Sequence, residues 1–202
     1  MDNGACSYRR FLDGDDEGVV AIIRDYKVGL SLFLNRYVHN VHIAEELAEE
    51  TFFRILIKKP RFVKKGSFKT WLYTIGRNTA VNYMKRAKRT LYTNFEDRLN
   101  LEDIANFGDI ECFSGEENAL EQAYIREEEK IVVHRALARI NPDYGRVLYL
   151  KFFEELKNDE IATILKKNKR QIENLIYQSK RALKLELDKE GFHYEGLQGN
   201  GR

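Results

Sequence analysis

The chain has 202 residues, of which 43% are apolar and 33% are charged, and its formal net charge is +2. This length allows one domain or two small ones, and the apolar content is enough for a core in each. Cys6 and Cys112 lie far apart without CxxC or Cys/His spacing, which argues against a disulfide framework or a zinc site and fits a reducing compartment. The acidic N-terminus does not resemble a signal peptide, and no apolar run approaches the ~18 residues of a membrane span. We therefore expect a cytoplasmic protein with no membrane span.

Charge is strongly segregated along the chain. Residues 54–89 carry 12 basic and no acidic residues, whereas residues 90–129 carry 2 basic and 12 acidic residues. The preceding segment has a net charge of −5 and the segment after residue 129 a net charge of +5. Such asymmetry indicates interaction surfaces rather than uniform solubilising charge.

Helical periodicity begins after Asp15 and Asp16, where apolar residues recur at three- and four-residue spacings as far as Tyr37. A second helix is predicted from near Ile43 to beyond Arg54, with a charged outward face rich in glutamate. Together with the next helix, these segments predict a three-helix module.

A basic loop follows, in which Pro60 and Gly66 bracket the sequence KKPRFVKKGS at 58–67, and a third helix is predicted over 68–86. Cations and aromatic rings alternate here, a pattern that suits a nucleic acid because cations meet phosphates while rings accept unstacked bases. Taken alone, such a charge run is also typical of a solvated helix face. Trp71 fits either base stacking or core packing.

Residues 90–124 lose helical periodicity, gather acidic residues and predict a flexible linker. The helical pattern returns at Ile125, and the Asn141-Pro142-Asp143 turn starts a further helix. The tail at 189–202 is rich in glycine and polar residues and is assigned no function.

The sharpest local pattern lies between Asn158 and Leu187. Asn158 is predicted to cap a short helix, Lys166 and Lys167 to form a turn, and Asn168 to cap a longer helix. This is the helix-turn-helix layout, whose second helix enters the major groove, although the pattern alone also fits any helical hairpin. The outward face of the second helix carries side chains suited to guanine, adenine and phosphate. They are Lys169, Arg170, Gln171, Glu173, Asn174, Tyr177, Gln178, Lys180 and Arg181.

Three segments, in order, resemble the extracytoplasmic-function (ECF) group of sigma-70 family RNA polymerase sigma factors. AEELAEETFFRIL resembles their second conserved region, and GSFKTWLYTIGRNTAVNYMKRAKR their promoter-melting, minus-ten-reading segment. The run from ALARINPDYGRVLYL through KKNKRQIENLIYQSKRALKLEL resembles their minus-thirty-five-reading domain. The resemblance implies an all-α protein of two small helical domains joined by a flexible acidic linker, the second a helix-turn-helix (winged-helix-like) domain. It places these domains at 8–89 and 125–188.

The resemblance also implies roles for individual residues, with core RNA polymerase and promoter DNA as partners and an anti-sigma factor as a candidate regulator. The coiled coil of the largest polymerase subunit would be gripped by Glu45, Glu46, Leu47, Glu49, Phe52, Phe53 and Arg54. Strand opening and minus-ten contacts would use Lys58, Lys59, Arg61, Phe62, Lys64, Lys65, Ser67, Lys69, Trp71, Tyr73, Arg77, Asn78 and Lys85. Lys166 replaces a frequent turn glycine, so the turn is expected to be looser or strained, unless the lysine avoids a positive φ.

No catalytic or cofactor site emerges from the sequence. His39 and His42 lie one helical turn apart but lack a third ligand, so they are read as surface or helix-end residues rather than metal ligands. No Ser/His/Asp array, phosphate-cradling loop or carboxylate pair is visible, so we expect a non-enzyme with no cofactor. Two rivals stay open: a stand-alone helix-turn-helix transcriptional regulator, and a recombinase or nuclease with a helical DNA-binding tail.

Overall fold

The computed structural model describes residues 3–62, 66–94, 133, 136–137, 139–189 and 191, with only the backbone described for 90–94. Every regular element in these ranges is helical, as the all-α prediction requires. No described helix combines the length and the apolar character that crossing a bilayer demands. Most of the acidic linker and of the tail lie outside the described residues.

The first module contains four helices rather than the three predicted. They are α1 (Asn3–Leu12), α2 (Glu17–Val38), α3 (Val41–Lys58) and α4 (Phe68–Asn94). The helix α1 was not anticipated, although Tyr8 and Phe11 have helical spacing and are both buried. The Tyr8 hydroxyl donates to the Pro60 carbonyl over 2.7 Å, so α1 holds the start of the basic loop. The last helix runs to residue 94, five residues beyond the predicted end of the module.

Local capping explains where α2 ends and α3 begins. His39 ends α2 in the left-handed conformation with φ 52°, in agreement with its interpretation as a helix-end residue. Asn40 then caps α3, since its Oδ1 accepts the Ile43 amide over 3.0 Å.

The second module contains α5 (Pro142–Leu148), a π-helix (Tyr149–Phe153), α6 (Asn158–Leu165) and α7 (Lys169–Lys189). Asn141 caps α5 by accepting the Asp143 amide over 2.9 Å, which confirms the predicted start of that helix. The cap predicted at Asn168 is confirmed too, because Asn168 Oδ1 accepts the Gln171 amide over 2.8 Å. Gln171 Oε1 accepts the Asn168 amide in return over 2.9 Å, completing a capping box.

One predicted cap was wrong, and one turn adopts the strained form. Asn158 does not cap α6 but forms its first turn, and its buried Oδ1 has no partner within the described residues. At this helix start the backbone amide of Lys157 donates a hydrogen bond to Glu160 Oε2 over 3.0 Å. Lys166 adopts a positive φ, 55°, because α6 ends in a left-handed residue before α7 can begin, so of the two alternatives for this turn the strained one holds.

The two modules pack against each other through a continuous core, which the sequence did not predict. Phe33 of α2 lies between Tyr73 of α4 and Tyr149 of the π-helix, with ring centroids 5.3 and 6.4 Å away. Arg146 of α5 stacks on the Tyr37 ring at 4.0 Å, and its Nε donates to the Arg36 carbonyl over 3.2 Å. The structure is therefore a packed arrangement of both modules.

Candidate nucleic-acid and polymerase interfaces

The helix α7 presents a long exposed face opposite its buried side. Ile172 and Ser179 are buried against the rest of the second module. The nine side chains predicted to face DNA are all exposed on this helix: Lys169, Arg170, Gln171, Glu173, Asn174, Tyr177, Gln178, Lys180 and Arg181. The helix thus offers amide and cationic groups over several turns, as direct reading of base edges requires.

The side chains on this face differ in whether they already make hydrogen bonds within the protein. Gln171 and Gln178 already accept hydrogen bonds, from the Asn168 amide over 2.9 Å and from the Tyr144 hydroxyl over 3.1 Å. The side chains of Arg170 and Asn174 are exposed and make no such bond within the described part of the chain. These two side chains are consequently exposed and free of the hydrogen bonds that hold Gln171 and Gln178.

The basic segment around α4 divides into exposed and buried groups. Lys58, Lys59, Arg61 and Lys85 are exposed, whereas Phe62, Ser67, Lys69, Trp71, Arg77 and Asn78 are half-buried. Lys64 and Lys65 lie outside the described residues. Several cations are therefore available to phosphates in the packed arrangement, and others are held by neighbours.

The aromatic residues of this segment form a cluster rather than an open row. The Trp71 ring lies 5.2 Å from Tyr8, 5.5 Å from Phe62 and 5.3 Å from Phe68. Tyr73 is 0% exposed. In this arrangement Trp71 is half-buried and packs against the core, and Tyr73 is not accessible to a base.

A positively charged cavity of about 330 Å³ lies at the junction of the modules. Its lining combines Arg77, Lys85 and Lys88 of α4 with Arg146 and Lys167 of the second module, together with the carboxylate of Asp143 and apolar side chains. The buried Nε of Arg77 has no acceptor among the described residues. Two residues predicted to contact DNA, Arg77 and Lys85, thus face a space that attracts anions.

The outward face of α3 is acidic with an apolar centre. Glu45, Glu46 and Glu49 are exposed and Arg54 is half-buried, while Phe53 is 62% exposed. Leu47 and Phe52, both predicted to touch polymerase, are buried and support this face from within. Ile57 is 67% exposed one turn after Phe53 and extends the apolar part of this face, as its four-residue spacing from Phe53 could have indicated.

No group of three His, Cys, Asp or Glu side chains is placed to hold a metal in the part of the chain that the structure describes. The exposed groups of the surfaces above are charged, hydrogen-bonding and apolar side chains.

Comparison with known proteins gives two family matches in chain order. Residues 22–90 match Sigma-70 region 2, and residues 130–183 match Sigma-70, region 4. The ECF RNA polymerase sigma factor SigW of Bacillus subtilis (strain 168) is 26% identical over 175 residues, covering 86% of this chain and 91% of the relative. The ECF RNA polymerase sigma-E factor of Escherichia coli (strain K12) is 25% identical over 156 residues, covering 77% and 79%.

Solved structures share the fold. CnrH, in a complex with the cytosolic domain of CnrY, has a TM-score of 0.61 at 14% identity, covering 94% of this chain and 99% of that one. The sigma factor RpoE, in a complex with the anti-sigma factor NepR from Bartonella quintana, has a TM-score of 0.61 at 16% identity, covering 89% and 98%. With both regions matched in order, the chain belongs to the sigma-70 family of RNA polymerase sigma factors, in its ECF group.

Proposed function

We propose that this chain binds core RNA polymerase in the cytoplasm, directs it to specific promoters and assists DNA melting, without being an enzyme itself. The observation that carries the proposal is the presence of both sigma regions in one chain, in order, with the exposed α7 face in the second region. A stand-alone regulator would need only the helix-turn-helix, and the first module with its basic loop would be left without a role.

The proposal divides the work between the two modules. The second module, 125–188, reads the upstream element with α7, where Arg170 and Asn174 are free to reach base edges. The first module reads and opens the downstream element with the basic loop and α4. The acidic segment that follows α4 in the sequence joins them.

Opening the DNA duplex breaks base stacking, and contacts with the protein have to offset this free-energy cost. Unstacking a base costs a few kcal/mol per step, and cations close to an aromatic surface offset this cost by binding the separated strands. Lys58, Lys59, Arg61 and Lys85 are exposed and supply that charge. No Asp or Glu interrupts the basic segment at 54–89.

The outward face of α3 is the surface we assign to polymerase. Its exposed Phe53 and Ile57 give an apolar centre, and Glu45, Glu46 and Glu49 give an acidic rim, which suits a partner with apolar side chains surrounded by cations. Because the two solved relatives are bound to CnrY and to the anti-sigma factor NepR, an inhibitory protein partner is part of the proposal.

Transcription in vitro tests the proposal. Core polymerase free of other sigma factors is incubated with genomic DNA fragments, with and without the chain, and the 5′ ends of the transcripts are mapped. We expect new start sites that share sequence elements at constant upstream spacing. Phe53→Glu should abolish these transcripts while DNA binding by α7 is retained. Transcripts with random start sites, the same with and without the chain, would refute the proposal.

A further inference from the structure

The cavity at the junction of the modules has a large excess of positive charge in its lining. Its volume of about 330 Å³ falls within the roughly 300–1,000 Å³ that small-molecule sites occupy. Cations from α4 and from the second module line it, against the single carboxylate of Asp143. The five cations are Arg77, Lys85, Lys88, Arg146 and Lys167. A space of this size and charge suits a small polyanion.

One side of α4 forms the first wall of the cavity. Its lining residues follow one another at spacings of four, three, one and three residues, which places them on the same side of the helix: Arg77, Val81, Met84, Lys85 and Lys88. Both lysines are exposed, and neither makes an ion pair or a hydrogen bond with the residues that the structure describes. Their ammonium groups are therefore available to an anion.

Arg77 in this wall is half-buried and has a donor without an acceptor. Its Nη1 lies 3.5 Å from Asn78 Oδ1, and its side chain shares a hydrogen bond with Tyr37, another residue of the lining. Its Nε is buried and has no acceptor within the described part of the chain. Buried donors are normally paired, and an oxygen of an anion in the cavity can supply the acceptor.

The second module supplies another wall with a cation that is fixed in place. Arg146 Nη1 lies 2.7 Å from Asp143 Oδ1, and its Nε donates to the Arg36 carbonyl over 3.2 Å. The same guanidinium stacks on the Tyr37 ring 4.0 Å away. Lys167, in the turn between α6 and α7, lies 3.9 Å from Asp143 Oδ2. One carboxylate thus serves two cations, and Arg146 is held in position before a ligand arrives.

The charge of the lining indicates how many phosphates the ligand carries. Five cations against one carboxylate leave an excess of four positive charges. A single phosphate group carries a charge of only about −1.5 to −2 at neutral pH, so two or more linked phosphates match the site better than one. Val81, Met84 and Leu165 add apolar surface, which can accept an organic group attached to the phosphates.

We propose that the junction cavity binds a small molecule with two or more linked phosphates. Lys85, Lys88 and Lys167 attract the phosphates by charge, and Arg146 adds a fixed positive charge beside them. Arg77 donates a hydrogen bond to a phosphate oxygen. The site goes beyond the proposed function, because neither polymerase nor promoter DNA is needed to fill it.

Isothermal titration calorimetry on the purified full-length chain tests the site, without polymerase, DNA or divalent cations. The probes are inorganic triphosphate, ATP and GTP, and orthophosphate at equal ionic strength is the single-phosphate comparison. Lys88→Ala/Lys167→Ala removes one cation from each wall of the cavity. Lys58→Ala/Lys184→Ala is the matched control, because it removes one exposed lysine from each module and neither lysine lines the cavity.

We expect saturable binding of the triphosphate probes at one site per chain and weaker binding of orthophosphate. The cavity variant should bind the triphosphates about tenfold more weakly or worse, the loss that one charge-assisted hydrogen bond is worth, and the control should match the unaltered chain. Saturating triphosphate should raise the melting temperature of the unaltered chain and of the control more than that of the cavity variant.

The choice of probes also identifies the source of the phosphates. Tighter binding of ATP or GTP than of inorganic triphosphate would support the site and assign it to a nucleoside phosphate, whereas equal binding would support the site and assign it to inorganic polyphosphate. Absence of saturable binding for every probe would overturn the proposal. An equal loss of affinity in the cavity variant and the control would overturn it too, because it would show attraction to the overall charge of the chain.

Discussion

Glu160 and Ser67 are 93 residues apart in sequence, yet the Glu160 carboxylate accepts the Ser67 hydroxyl over 2.6 Å. This hydrogen bond joins the helix-turn-helix module to the residue just before α4. Substitution of Ser67 therefore has two consequences, one on DNA binding and one on the packing of the modules, and experiments on the basic segment must separate them.

The hydrogen bonds of Glu160 predict a pH dependence of stability. Burial raises the pKa of Glu160, but hydrogen bonds from Ser67, the Lys157 amide and Thr70 outweigh burial and leave this pKa below its usual value of 4.5. A carboxyl whose folded pKa is lowered contributes stability above its unfolded pKa, and this contribution is lost as pH falls through the folded pKa. Glu160→Gln should thus destabilise the chain at neutral pH, and the difference should vanish as pH falls below 4.5.

Urea denaturation of the unaltered chain and of Glu160→Gln, at several pH values, measures this difference. Asp159→Asn serves as the control, because Asp159 is exposed on the same helix. A difference between the unaltered chain and Glu160→Gln that stays constant from neutral to acidic pH would contradict the assignment.

Arg170 and Asn174 should determine upstream specificity. Replacing both with alanine should reduce discrimination by about 1 to 3 kcal/mol at each base pair that the two side chains read, while affinity for polymerase is unchanged. Gln171 is left in place because its Oε1 caps α7. Competition between specific and random duplexes at fixed salt measures the change, and Lys184→Ala, an exposed cation further along α7, is the control. Unaltered discrimination would exclude α7 as the reading helix.

Lys64 and Lys65 of the basic loop should act in strand opening. Reversing both charges should reduce open complexes about tenfold on duplex promoters, since the separated strands would then meet carboxylates instead of cations. A template with a premelted bubble should restore transcription, and polymerase binding should be unaffected. The control Arg9→Glu/Arg10→Glu reverses two adjacent exposed cations on α1. If the bubble template does not rescue transcription, these lysines have a different role.

Lys166 should limit the stability of the second module. A residue with a Cβ is strained in the left-handed conformation by about 1 to 2 kcal/mol, and glycine removes this strain but adds entropy to the unfolded chain. Lys166→Gly, at φ 55°, should raise the free energy of unfolding by up to about 1 kcal/mol. Lys167→Gly, which removes the same charge one residue later, should not. Thermal unfolding compares them, and equal melting temperatures would show that the turn is not strained.

The sequence predicted features that depend on short-range chemistry. The cap at Asn168 and the start of α5 after Asn141 need only neighbouring residues, so the pattern was sufficient. Asn158 shows the limit of such patterns. The Glu160 carboxylate accepts the Lys157 amide at the start of α6, and the helix begins at Asn158, one residue before the predicted first residue.

Contacts between distant segments could not be predicted in this way. A buried stripe such as that of Ile161 and Ile164 shows that one face of α6 is covered, but not that α4 lies against it. Tyr73 lies among cations in the sequence, yet it is buried, with Phe33 of α2 at 5.3 Å and the Glu154 carboxylate, far along the chain, as its neighbours. Residues that suit two environments, such as Trp71, need these distant neighbours before their place can be decided.

Binding to core RNA polymerase is the most direct test of the proposed function. The purified chain is mixed with bacterial core polymerase free of other sigma factors and passed through a gel-filtration column. We predict stable co-elution in equal amounts, weakened by Phe53→Glu. Separate elution, with DNA binding by the chain retained, would contradict the proposed function and favour a stand-alone regulator.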